Sequence, residues 1–107
     1  MTEARTGRLI EPTTFVFTDV VGSTKLWAAD PEATGRSFLI HDTIVRTALK
    51  NNNGEIFGWA GDSFRAAFQD RYDAVAACQA IHRDLANADW EGDPALSVRT
   101  GVTYGRA

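Results

Sequence analysis

The sequence predicts an α+β domain: a ferredoxin-like or palm-like sandwich with a mainly antiparallel sheet and helices on one face. Three observations carry this. Short β-branched and aromatic runs occur at 13–18, 55–60, 64–68 and from Leu96 onward. Longer stretches between them repeat apolar residues three and four apart, the helical period. Two of the short runs meet at Gly61-Asp62-Ser63, a hairpin signal. The resulting order is β-α-α-β-β-α-β.

Taken in order, Thr13–Thr18 carries no charge and reads as a buried central strand. In the segment Val20–Ala29, Ser23 or Thr24 is expected to cap a short helix bearing Lys25, Leu26 and Trp27. Asp30-Pro31 reads as an N-cap followed by proline at the first helical position. The helix it opens runs to about Lys50, with Phe38, His41, Val45 and Ala48 on one stripe and Ile44 and Leu49 beside it. Asn51-Asn52-Asn53-Gly54 supplies residues that tolerate the left-handed backbone of a helix end. Glu55–Ala60 and Phe64–Phe68 form the hairpin. A second long helix is expected over Asp70–Ala88, with Ala74, Cys78, Ile81 and Leu85 facing inward. After the turn Glu91-Gly92-Asp93-Pro94, the residues Leu96, Val98, Thr100 and Val102 alternate as a strand.

Composition bounds the function. The 107 residues suffice for one domain with a modest core. A net charge of −3 argues against a general nucleic-acid or anionic-membrane surface, which needs a basic patch. The single cysteine, Cys78, excludes an internal disulfide framework and fits a reducing cytoplasm. No apolar run reaches transmembrane length. The N-terminal Met-Thr-Glu-Ala-Arg-Thr-Gly-Arg is polar, and 1–12 reads as a flexible leader. The two carboxylates that stand out are Asp19, which ends an apolar run, and Asp62, in the hairpin turn. Should their elements lie side by side, both acids meet at one edge of the sheet. Such a pair holds one or two Mg²⁺ or Mn²⁺ ions and leaves coordination positions for phosphates and water. Gly22 permits close approach of a phosphate, and the N–H groups of Val21, Gly22, Ser23 and Thr24 face outward at a helix start. Taken singly, Asp19 also fits a helix N-cap and Asp62 an ordinary turn residue.

The ordered segments Phe17-Thr18-Asp19-Val20-Val21-Gly22-Ser23-Thr24, Gly54-Glu55-Ile56-Phe57, Gly61-Asp62-Ser63-Phe64 and Val98-Arg99-Thr100-Gly101-Val102 resemble the catalytic domain of class III nucleotidyl cyclases (adenylate/guanylate cyclases). Lys25-Leu26-Trp27, His41-Asp42 with Ile44-Val45-Arg46, and Asp73-Ala74-Val75-Ala76-Ala77 resemble the actinobacterial type. The likeness spans Thr13 to Arg106, so 13–107 reads as a partial cyclase homology domain. The resemblance implies metal binding by Asp19, Asp62 and the Val20 carbonyl, with two Mg²⁺ or Mn²⁺ ions. It implies a triphosphate cradle at Val21, Gly22, Ser23 and Thr24. The implied substrate is a nucleoside triphosphate, ATP ahead of GTP, cyclised to a 3′,5′-cyclic nucleotide with loss of pyrophosphate. It also implies a head-to-tail homodimer, or a heterodimer with another cyclase subunit, in the cytoplasm.

The sequence departs from this family at three places. Adenylate cyclases carry a purine-reading lysine three residues before the glycine of the Gly-Asp turn; here that position is Gly58, followed by Trp59. Arg65 stands where the family has an apolar residue; alternation points it to solvent, the favoured reading, and a functional reading places it near phosphate. The family's transition-state asparagine and arginine are expected beyond Ala107, so no catalytic residue is assignable. The alternative is a catalytically inactive cyclase-like module that binds nucleotide or a partner. A palm-type polymerase is disfavoured by the acidic charge, and a diguanylate cyclase by the absence of a Gly-Gly-Asp/Glu-Glu-Phe run. His41 and His82 read as packing or helix-surface residues, and Asp84, Asp89, Glu91 and Asp93 as a solvated helix end and turn.

Overall fold

The computed structural model describes residues 13–105, so the expected leader at 1–12 lies outside the described residues. The elements are β1 (Thr13–Val20), α1 (Ser23–Ala29), α2 (Pro31–Asn51), β2 (Glu55–Ala60), β3 (Ser63–Phe68), α3 (Arg71–Ala86) and β4 (Val98–Gly105), in the order expected. The sheet runs β2-β3-β1-β4, and every neighbouring pair is antiparallel.

Local chemistry sets the helix limits. The Asp30 side chain accepts from the Ala33 N–H at 3.1 Å, and Pro31 follows at the first helical position. Asn53 takes a left-handed φ of 67° just past the end of α2. Asp70 stands outside α3 as its cap, accepting from the Tyr72 N–H at 2.8 Å, so the helix is shorter than expected at both ends.

Alternation divides β1 between two faces. Thr14, Val16, Thr18 and Val20 are buried. They join Phe64, Ala66 and Phe68 of β3, Val98 of β4 and the inner stripes of α2 and α3, among them Val45, Leu49, Ala77 and Ile81. The opposite face carries Phe15, Phe17 and Asp19 of β1, paired with Ala67, Arg65 and Ser63 of β3. The β4 partners on that face are Thr103, Gly101 and Arg99. Both long helices pack on the other side, so Phe17 keeps 38% of its surface exposed and Phe57 keeps 51%. The strand expected to be buried is therefore covered on one face only.

Three further expectations change. The last strand begins at Val98 rather than Leu96, although Leu96 is buried ahead of it. Toward its end, Val102 and Tyr104 turn to the helix side yet stay exposed. Asp93 is not a solvated turn residue. Its carboxylate receives Nε and Nη2 of Arg36 at 2.9 Å each, and its side chain is only 14% exposed. Ser37 adds a 2.6 Å bond to the Pro94 carbonyl, so two residues of α2 clamp the segment leading into β4.

Candidate metal and phosphate site

Strand register brings the two singled-out carboxylates together. Asp19, next to last in β1, sits on the open face opposite Ser63 of β3. Asp62 is the preceding residue, in the two-residue turn joining β2 to β3. The Ser23 hydroxyl donates to Asp62 Oδ2 at 2.8 Å and so ties the start of α1 to the hairpin turn. Asp19, the 20–24 segment and Asp62 thus converge at one end of the sheet. Both carboxylates are partly exposed and accessible to a ligand.

The cap of α1 is Gly22, not Ser23 or Thr24. Gly22 has φ 67° and ψ 28°, and α1 has no side-chain cap bond. A residue with a β-carbon is strained in that left-handed conformation, whereas glycine is not. Having no cap to make, Ser23 uses its hydroxyl on Asp62. The expected cradle is also narrower than four residues. The Val21 N–H donates to the Ser97 carbonyl at 2.9 Å, so it faces the segment before β4. The N–H groups of Gly22, Ser23 and Thr24 have no acceptor among the described residues. Three outward N–H groups at a helix start suit an anion.

Arg99, which the sequence reading did not single out, completes the electrostatics. It lies opposite Asp19 on β4, and its Nη2 donates to Asp19 Oδ2 at 2.5 Å. Alternation from Val98 would have placed Arg99 on the face away from the core. Only the adjacency of β1 and β4 places it at Asp19, and adjacency is not visible in the sequence.

The carboxylates of Asp19 and Asp62 are oxygen donors of the kind a hard divalent cation takes. No cluster of three or more Asp, Glu, His or Cys side chains occurs among the described residues. A pair of protein carboxylates is what magnesium uses when it shares its shell with substrate phosphates.

Other candidates fall outside the site. Gly58 is on the open face, directly opposite Arg65. Trp59 pairs with Phe64 and so turns to the helix side, where the Arg46 guanidinium lies 5.1 Å from its ring centroid and 5.0 Å from that of Phe64. It braces the edge of the sheet. Trp27 stacks on Phe38 at 5.2 Å, joining α1 to α2. His41 is fully buried between Phe38 and Phe64, and His82 bonds Thr100 at 3.1 Å on the surface. Cys78 is a core residue whose thiol is pushed up by burial, the opposite of what a reactive thiolate needs.

No family model matches the chain. In sequence it is 31% identical, over a 125-residue alignment, to the adenylate cyclase of Schizosaccharomyces pombe, covering 95% of this chain and 7% of that protein. It is 34% identical over 80 residues to receptor-type adenylate cyclase B of Leishmania donovani, covering 75% of this chain and 6% of the relative. The chain therefore spans a small part of these relatives' length. Among solved structures, a Trypanosoma brucei adenylate cyclase in its monomeric state superposes with a TM-score of 0.83 at 25% identity, over 88% of this chain and 56% of that one. The guanylyl cyclase Cya2 superposes with a TM-score of 0.80 at 20% identity, over 89% and 54%. The fold is that of nucleotidyl cyclase catalytic domains, and the sequence is similar to adenylate cyclases.

Proposed function

We propose that this chain carries the metal- and phosphate-binding part of a class III nucleotidyl cyclase catalytic domain, acting on ATP to give 3′,5′-cyclic AMP and pyrophosphate. The observation that supports it most is the convergence of Asp19, Asp62 and the Gly22–Thr24 backbone at one end of the sheet. The names of the sequence relatives favour ATP over GTP. The actinobacterial type rests on the segments quoted above and belongs to the same proposal, as do cytoplasmic placement and the head-to-tail dimer. No helix among the described residues is long and apolar enough to cross a membrane.

Asp19, Asp62 and the Val20 carbonyl would hold Mg²⁺ or Mn²⁺. Such a metal pair, when bound, supplies charge neutralisation and polarisation of the attacking and leaving oxygens. The chain's own groups have definable tasks. Gly22, Ser23 and Thr24 receive phosphate oxygens on backbone N–H groups, with no side chain reorganising. Ser23 holds the Asp62 carboxylate in place through its hydroxyl. Arg99 neutralises Asp19 in the free chain. With 71% of its side chain exposed, it is free to turn to a triphosphate.

Asp19→Ala and Asp62→Ala are each expected to lower cyclic nucleotide formation in Mn²⁺ by at least about a hundredfold, the scale of losing preorganised charge at a reacting centre. They are also expected to abolish Mn²⁺ binding, followed by loss of the free-ion electron paramagnetic resonance signal. An Asp19→Ala protein with full activity would end the proposal. A second reading, a cyclase-like module without turnover, is favoured by Gly58 and by the Arg99 ion pair on Asp19. Robust cyclic nucleotide production by the purified chain rules that reading out.

A further inference from the structure

Asp19 and Asp62 are held in different ways in the free chain. The partner of Asp62 is neutral: the Ser23 hydroxyl donates to its Oδ2 at 2.8 Å, and a carboxylate oxygen has lone pairs to share beyond that bond. The partner of Asp19 is a charge. Arg99 Nη2 donates to Asp19 Oδ2 at 2.5 Å, and no other hydrogen bond or ion pair reaches this carboxylate among the described residues. Ser63, opposite Asp19 on β3, gives its hydroxyl to the Ala60 carbonyl at 3.1 Å instead.

The sheet does not depend on this pair. β1 and β4 are in register without a break from Thr13 with Gly105 to Val20 with Val98. Leu96 and Val98 are buried at the start of the strand, and the Val21 N–H holds the Ser97 carbonyl at 2.9 Å. A cross-strand ion pair between exposed side chains adds little to such a strand. Both side chains are well exposed, so the guanidinium can leave Asp19 without unpacking anything.

We infer that Arg99 is an internal counter-ion that closes the metal site of the free chain, so that a divalent cation enters at Asp19 only as Arg99 swings away. The inference rests on the metal reading proposed above. Arginine stays charged at any working pH, so its guanidinium neutralises the carboxylate and repels a second cation brought to the same oxygens. Metal entry is then an exchange of one cation for another at Asp19. An anion that draws the guanidinium off lowers the cost of that exchange. By reciprocity, bound metal releases the guanidinium to the anion. Metal and anionic ligand thus load together, and the free chain holds metal weakly.

The test uses the full chain and the metal alone, with Mn²⁺ binding followed by loss of the free-ion electron paramagnetic resonance signal. Arg99→Gln is expected to tighten Mn²⁺ on the order of tenfold, the scale of coupling between two occupants of one site. Arg65→Gln removes a cation from the same face without a contact to Asp19, since Arg65 pairs with Phe17. It is expected to change the affinity by less than about twofold in about 0.15 M salt, where exposed charges are screened. In the unaltered chain, Mg²⁺ is expected to move the Arg99 Nε–H resonance, identified by its loss in Arg99→Gln, as the site fills. A purely structural pair predicts a lower Tm for Arg99→Gln and no gain in Mn²⁺ affinity. Affinity unchanged or weakened in Arg99→Gln, equal tightening in Arg65→Gln, or an Nε–H resonance unmoved at saturation overturns the inference and leaves the metal reading standing. Failure of both the unaltered chain and Arg99→Gln to bind Mn²⁺ overturns both.

Discussion

Asp62 and Gly54 show how differently single residues are fixed. Asp62 reads from the sequence as a turn residue or a ligand, and the Ser23 hydroxyl on its carboxylate pins it beside Asp19. The sequence offered Ser23 as a cap; the left-handed Gly22 took that place, and the hydroxyl turned outward. Gly54 was legible only as a helix stop. In the fold it is also a close-approach point: an added β-carbon would sit 2.6 Å from Phe68 Cζ and 2.8 Å from the Leu49 carbonyl oxygen. Both neighbours belong to the packed core, so neither yields easily. Gly54→Ala is expected to destabilise the domain by about 2 kcal/mol. Thermal unfolding should then show Tm falling by roughly 10 °C. A Tm within a degree of the parent would show that Phe68 shifts freely.

The clamp on the segment before β4 is a property of elements. Arg36 and Ser37 on α2 hold Asp93 and Pro94 from outside, and Val21 holds Ser97 from the end of β1. These contacts deliver Arg99 to Asp19. The Arg36 guanidinium keeps the Asp93 carboxyl below the usual carboxylate range, and Asp93 raises Arg36 in turn. A carboxyl whose folded-state pKa is depressed contributes stability above its unfolded value and loses that contribution as pH falls through the folded value. The stability difference between the parent and Asp93→Asn is therefore expected to shrink below about pH 4 and to be constant near neutrality. Urea unfolding at several pH values measures this. A difference that stays flat down to pH 2 would contradict it. Sequence periodicity revealed both helices that matter here but not the clamp, because Arg36 and Asp93 are 57 residues apart.

For the whole molecule, the decisive feature is the uncovered face of the sheet. Phe15 and Phe57 meet edge to face at 6.0 Å, and Phe17 and Phe57 remain substantially exposed beside the charged row. An apolar patch next to a ligand site suits a partner surface. The proposed head-to-tail dimer would use it. Specific activity is then expected to fall on dilution. Phe57→Glu is expected to shift sedimentation toward monomer with little change in Tm. Unaltered sedimentation of that variant would separate this face from self-association.

The sequence alone determined the element order, the helix cap at Asp30, and the two carboxylates Asp19 and Asp62. These follow from period, propensity and short-range chemistry, which act within a few residues. The tertiary structure decided which strands are neighbours. It set Arg99 on Asp19, left one face of β1 bare, and laid Arg65 over Gly58. Pairing between distant strands depends on how the helices pack against one side of the sheet, and that packing is a property of the assembled core.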